Sequence, residues 1–403
     1  MLLSLALGAA LSAVVALAST ARQAEATITE KVVFASERTI GTGVNNPTGD
    51  LEIFRMNPDG TGVRQLTSNK ADDFGPTLSP DGTKIAYVSY GPQPSNPEGD
   101  NEVYVMNASD GTGKKNLSNN GTGVYDYYPV FSSGGKRIAF QSNGVQPSNP
   151  EGDYEIYVMK TLDGTGKKNL SDNGVEVAGA SPVNDFDPEF SPSGDKIAYE
   201  SRGKQTSNPE GDDEVYVMNS LDGSGKKNLT NNGTGVYDSS ADFSFGGTKI
   251  AYGSGGAQTS NPEGDTEIYR MSAVDGSGKK NLTDNGDGIN DFGPVFSPDG
   301  ERIAYTSHGK QTSNEDGDYE VYRLSALDGT RKKNLSNNGL GVDDLFPFFS
   351  SSEGNRVFYE SQGVQTSNPE GDIEIYRTNT LDGTGKKNLT HNGAGVYDGI
   401  YPD

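Results

Sequence analysis

Asp126-Tyr-Tyr-Pro-Val-Phe-Ser-Ser-Gly-Gly-Lys-Arg-Ile-Ala-Phe140, then Ser148-Asn-Pro-Glu-Gly-Asp-Tyr-Glu-Ile-Tyr-Val-Met159, then Asp163-Gly-Thr-Gly-Lys-Lys-Asn-Leu170, hold four short apolar runs separated by Gly, Ser, Asp and Asn clusters. Such spacing reads as four β-strands, here lettered A to D, joined by three turns. Close copies fill nearly the whole chain. Taking strand B as the ruler, they begin at Lys31, Lys84, Arg137, Lys196, Lys249, Arg302 and Arg356, at intervals of 53, 53, 59, 53, 53 and 54 residues. The one long interval marks an insertion near 177–182. A four-stranded unit at this period is a propeller blade, whereas a solenoid of similar period would show helical periodicity.

The predicted fold is therefore all-β, a seven-bladed propeller of four-stranded antiparallel blades in one domain over residues 27–403. Strands B and C are apolar at successive positions, as strands covered on both faces by neighbouring blades must be. Strand D opens with two lysines in six copies, which suits an outer edge protected against strand addition. The first unit supplies only B, C and D. The tail Gly395-Val-Tyr-Asp-Gly-Ile-Tyr-Pro-Asp403 supplies the start of an A strand, so the two chain ends are expected to share one blade and close the ring.

The chain carries 33 Lys and Arg against 56 Asp and Glu, a net charge of −23, with neither Cys nor Trp. That balance repels nucleic acid and anionic lipid over most of the surface and favours cations or basic partners. Without Cys there is no disulfide, thiolate metal site or thiol nucleophile. Residues Leu2 to Ala18 form an apolar run followed by Ala-x-Ala sites at Ala16–Ala18 and Ala24–Ala26. Residues 1–26 are expected to be a signal peptide. The protein is expected in the periplasm or outside the cell, as a monomer without membrane insertion once that segment is cleaved.

The segment Asp291-Phe-Gly-Pro-Val-Phe-Ser-Pro-Asp-Gly-Glu-Arg-Ile-Ala-Tyr305 resembles the TolB-type, WD-repeat-like propeller repeat, and the resemblance extends over about residues 31–403. It implies the propeller fold with strand A innermost, and for TolB itself a periplasmic partnership with the peptidoglycan-associated lipoprotein. TolB carries an N-terminal α/β domain ahead of its propeller. The present chain reaches its first blade by Lys31, so a stand-alone exported propeller is the nearer expectation.

Two histidines, His308 and His391, stand at non-equivalent repeat positions, and no G-x-S-x-G elbow occurs. The expected function is a non-catalytic scaffold for a protein or a cell-envelope component. The alternative is a propeller enzyme of the envelope, a metal-assisted lyase or hydrolase acting on polysaccharide. Two sets of carboxylates recur. Asp73, Asp126, Asp185, Asp238, Asp291, Asp344 and Asp398 precede the apolar core of strand A. If strand A is innermost they ring one channel mouth, either as turn-stabilising acceptors or as a weak divalent-cation site. The second set lies in the B–C loops: Glu98, Asp100, Glu151, Asp153, Glu210, Asp212, Glu263, Asp265, Asp316, Asp318, Glu370 and Asp372. Such oxygen-rich loops suit Ca2+ or a solvated turn. Because strands alternate direction, the A–B and C–D turns share one face of the disc and the B–C and D–A connections the other. The long-loop face is expected to be the acidic, ligand-binding one.

Overall fold

The computed structural model describes residues 31–41, 43–173, 181–350 and 354–400. The expected signal peptide lies outside them, as does most of the insertion near 177–182. Each repeat folds into a four-stranded antiparallel sheet, and seven such sheets make the ring. In the second blade the strands are A (Asp72–Leu78), B (Lys84–Tyr90), C (Glu102–Asn107) and D (Lys115–Asn116). The first blade takes B (Val32–Ser36), C (Glu52–Met56) and D (Arg64–Gln65) from the N-terminal side. Its innermost strand is Asp398–Gly399, paired antiparallel as Ala35 with Gly399 and Ser36 with Asp398. The expected closure by the two chain ends is thus present.

The apolar runs of strands B and C make the core, and they make it between blades. One cluster joins Val103, Val105 and Leu117 of the second blade to Phe131, Phe140 and Tyr157 of the third. The closure joint repeats the arrangement, with Phe34, Phe54 and Ile400 packed on Phe358, Ile375 and Leu389 of the seventh blade. Burial on both sheet faces explains why these runs lack alternation. Tyrosines on adjacent B and C strands pack in pairs, as Tyr87 with Tyr104, tilted by 32° at 5.7 Å between ring centroids. The Tyr104 hydroxyl meets Ser95 Oγ at 2.9 Å and so ties the B–C loop to the sheet. Strand A carries a bulge at its middle, between Tyr127 and Val130 in the third blade, with Tyr128 at φ +51°.

The Asp-Gly of each C–D turn has a steric reason. Gly111 has φ +73°, and a Cβ added there would sit 2.1 Å from the Leu66 carbonyl oxygen of the preceding blade. Gly111→Ala is expected to cost about 2–4 kcal/mol through left-handed strain and overpacking. Gly121, around which a Cβ meets nothing within 4 Å, should accept alanine with little change. Urea unfolding midpoints of the two variants measure the contrast.

Candidate functional site: the blade joints and the long-loop face

The seven ring aspartates are fully buried. They lie in the joints between blades, which corrects the expectation that they line a channel mouth. In strand A successive side chains point to opposite faces. The aspartate takes the sideways direction into the joint, while its neighbour Tyr125 is exposed, and the bulge turns Tyr128 outward as well. The Asp126 backbone N–H donates to Asn101 O of the preceding blade at 2.9 Å. Its carboxylate accepts from Asn120 Nδ2 at 2.6 Å.

Beneath each aspartate stands a second buried acid, the glutamate at the start of strand C, which the sequence suggests as one more charge of the long-loop face. Glu102 accepts from the Asn120 backbone N–H at 2.6 Å and from the Ser118 hydroxyl. The same arrangement recurs as Glu267 with Asn285, Thr283 and Asp291, and as Glu374 with Asn392, Thr390 and Asp398. One asparagine thus bridges two carboxyls at each joint. Burial pushes Glu102 up to about 7, with Asp126 nearby raising it further and the hydrogen bonds opposing. Asp126 is pushed up to about 6 by burial, against donors Ser118 and Ser142 and the charge of Lys167.

The first lysine of each strand D pair, expected as an edge guard, reaches across the joint. Lys114 Nζ donates to Leu66 O at 2.8 Å, and its charge acts on Asp73 and Glu52. Lys167, Lys226 and Lys332 likewise donate to Asn120, Asn173 and Asn285. The closure joint has Val63 where the other blades have this lysine. Arg38 takes its place, with Nη2 2.8 Å from Asp398 Oδ2 and the guanidinium over the Phe34 and Phe54 rings at 5.2 and 5.1 Å. The signal was in the sequence, because the other six units have glycine at that position, from Gly91 to Gly363.

The B–C loop acids divide by role. Glu98, Glu151, Glu263, Asp316 and Glu370 are exposed, and Glu210 is half-buried. Asp100, Asp153 and Asp212 are buried, and Asp265, Asp318 and Asp372 are half-buried. Asp100 Oδ2 accepts from the Gly123 N–H at 3.1 Å and Asp212 Oδ2 from Gly235 at 3.0 Å, so these aspartates pin the next D–A connection. Asn96 closes the loop itself, donating to Asp100 O at 2.6 Å and accepting from the Gly99 N–H at 3.0 Å. Between neighbouring loops of the second and third blades lies a groove of about 560 Å³, bordered by Asn120, Thr122, Val145, Gln146, Pro147 and Lys167. Among the described residues no group of three or more His, Cys, Asp or Glu could hold a metal ion. His308 stacks on Tyr319 at 4.3 Å, and His391 fills a left-handed turn position, φ +38°, where five other blades have Asn or Asp and the first has Ser68.

No family model matches the chain. A protein TolB homolog of Chlorobium luteolum is 30% identical over 159 residues, 39% of this chain and 30% of the relative. A second TolB homolog, of Chlorobaculum tepidum, is 30% identical over 131 residues, 32% of this chain and 26% of the relative. Over part of its propeller the chain is a homologue of TolB. It spans less than a third of the length of these two relatives. Among solved structures, a puromycin hydrolase superposes with a TM-score of 0.62 at 14% identity, covering 93% of this chain and 54% of that one. An oligogalacturonate lyase in complex with manganese gives 0.59 at 14% identity, covering 87% and 86%. At such identities these two likenesses speak for the fold alone.

Proposed function

We propose that the protein is an exported, non-catalytic scaffold that takes up a protein or cell-envelope component on its long-loop face. The observation that carries this reading is the construction of the B–C loops. Asn96 and its equivalents, Asn149, Asn208, Asn261, Asn314 and Asn368, brace each loop internally. Asp100, Asp212, Asp318 and Asp372 anchor their loops to the next D–A connection, and acids beside them are left projecting. A rigid ring of projecting carboxylates binds without the entropic cost of ordering loops, and it attracts cationic groups. The relationship to TolB supports a binding role.

The outward acids are the ones to change, because neutralising the inward aspartates would disturb the loops themselves. Glu98→Gln/Glu151→Gln/Glu210→Gln should weaken calorimetric binding of a short oligolysine peptide about tenfold and flatten its salt dependence, at about 1 kcal/mol or less per exposed pair. The same variant should lose partners captured by the parent from an envelope fraction. Survival of that capture, with loss on Lys115→Glu/Lys168→Glu, would place the binding surface on the opposite face.

A further inference from the structure

The opposite face carries a feature that scaffold binding does not use. In five consecutive blades the residue before the Asp-Gly of the C–D turn is a large aliphatic side chain held out to solvent. Leu162 is 85% exposed, Leu221 75%, Val274 76%, Leu327 73% and Leu381 69%. Single exposed aliphatics are ordinary on protein surfaces. Five at one equivalent position, one per blade along one rim, are not a scatter. The B–C loops of the other face offer a contrast, since the position of Val145 is Pro, Lys, Ala, Lys and Val in other blades.

Each tip has cationic company. The second lysine of strand D reaches the turn of the next blade: Lys168 Nζ donates to Asp222 O at 2.9 Å, beside Leu221, and Lys280 Nζ to Asp328 O at 3.1 Å, beside Leu327. Lys227 Nζ lies 3.5 Å from the carbonyl oxygen of Val274 itself. These lysines are exposed. The turn aspartates are engaged locally, as Asp222 is by the Ser224 N–H and hydroxyl at 3.0 and 2.7 Å.

We propose that this rim is a peripheral membrane-docking surface, with aliphatic tips entering the interface of a bilayer that bears anionic headgroups and the lysines pairing with those headgroups. The spacing selects this occupant. Tips set one blade apart form no continuous patch, whereas a folded partner or a second copy needs contiguous, complementary burial. A bilayer accepts separate tips in one plane without any register, and its affinity grows with inserted apolar area plus local positive charge. The net charge of −23 does not oppose docking at this rim, because charges beyond about 8–10 Å are screened at physiological salt. Docked this way, the disc presents its long-loop face away from the membrane.

The chain contains no Trp, so one introduced indole reports on its own surroundings. Leu221→Trp in the full chain, mixed with phosphatidylglycerol–phosphatidylethanolamine vesicles bearing brominated acyl chains, should shift its emission to the blue and be quenched. Val145→Trp on the other face should do neither. Adding Lys168→Glu/Lys227→Glu to Leu221→Trp should weaken the quenching titration at least about tenfold, given roughly 1 kcal/mol per basic residue at the surface. The proposal fails if Leu221→Trp stays unquenched or Val145→Trp is quenched equally. It fails also if the blue shift arises without vesicles together with sedimentation as a dimer, because the rim would then be a self-contact.

Discussion

Arg38→Ala should open the ring at its closure joint and lower stability by about 3–5 kcal/mol, the usual range for removing one partner of a buried ion pair. Asp398 is fully buried, and among the described residues two of its strand, Asp398 and Gly399, pair with strand B of the first blade. At the other joints strand A has seven residues, as Asp72–Leu78 does. Among the described residues the closure joint has the least backbone pairing and leans most on its side chains. Arg38 supplies four contacts there: the ion pair to Asp398, a hydrogen bond to Ser36 Oγ at 3.0 Å and the faces of Phe34 and Phe54. Arg38→Lys keeps the charge but loses the fork and the planar stack, so an intermediate loss is expected. Asp398→Asn in the Arg38→Ala background should recover part of the loss, because no buried carboxylate is then left without its cation. Without Arg38 the Asp398 carboxyl rises further above its usual range, so the loss should be larger at pH 8 than at pH 5. Urea unfolding of the four proteins, with hydrogen exchange at Ala35 and Ser36, measures this; an unchanged midpoint for Arg38→Ala would remove Arg38 from the closure.

The blades and their number were legible because a propeller writes its period directly into the sequence. Each KIAY-like strand B is apolar for the same reason in every copy, and the Asp-Gly turn is fixed by the close approach of Gly111 to Leu66 O. Closure was legible too, since an orphan strand A at one end matched a blade lacking one at the other. The joints were not. Glu102 and Asp126 stand 24 residues apart in the sequence, each in a stretch rich in polar residues, and acids in such stretches read as solvated. Their burial is created by the packing of one blade on the next, which no window within a single repeat contains. The lysine that faces them was misread likewise, because Lys167 and Lys168 are adjacent in sequence yet turn to different neighbours, Asn120 on one side and Asp222 on the other. Arg38 could have been found. It is the one departure from glycine at its position, in the one joint whose lysine has become Val63.

The joints also predict that this acidic protein is more stable at pH 5 than at pH 8. Burial raises the native carboxyls at one joint after another: Glu52 to about 8, Glu102 and Glu374 to about 7, Asp126 and Asp291 to about 6. In the unfolded chain the same groups titrate near 4. Below that pH both states hold these protons, and the contribution to stability is fully present. As pH rises past 4 the unfolded chain releases protons that the native state retains, so stability falls until the native values of 6–8 are passed. The groups facing each pair are the joint asparagine, the Ser or Thr hydroxyls and one cation, Lys114 or its equivalents, with Arg38 at the closure. These lessen the rise without cancelling it. At about 1.4 kcal/mol per pH unit for each proton retained, even partial retention across seven joints amounts to a loss on the order of 5 kcal/mol between pH 5 and pH 8. The exposed turn aspartates act oppositely: hydrogen bonds from Ser277 and Thr330 hold Asp275 and Asp328 down at about 2, so their contribution is lost only as pH falls below 4. Maximal stability should therefore fall near pH 4–5. Urea midpoints at pH 5, 6.5 and 8 read the slope, and Glu102→Gln/Asp126→Asn, which removes one titrating pair, should make it shallower. A midpoint that climbs from pH 5 to pH 8 would mean that the joints hold their carboxylates ionised, with the lysines and Arg38 as full counter-charges.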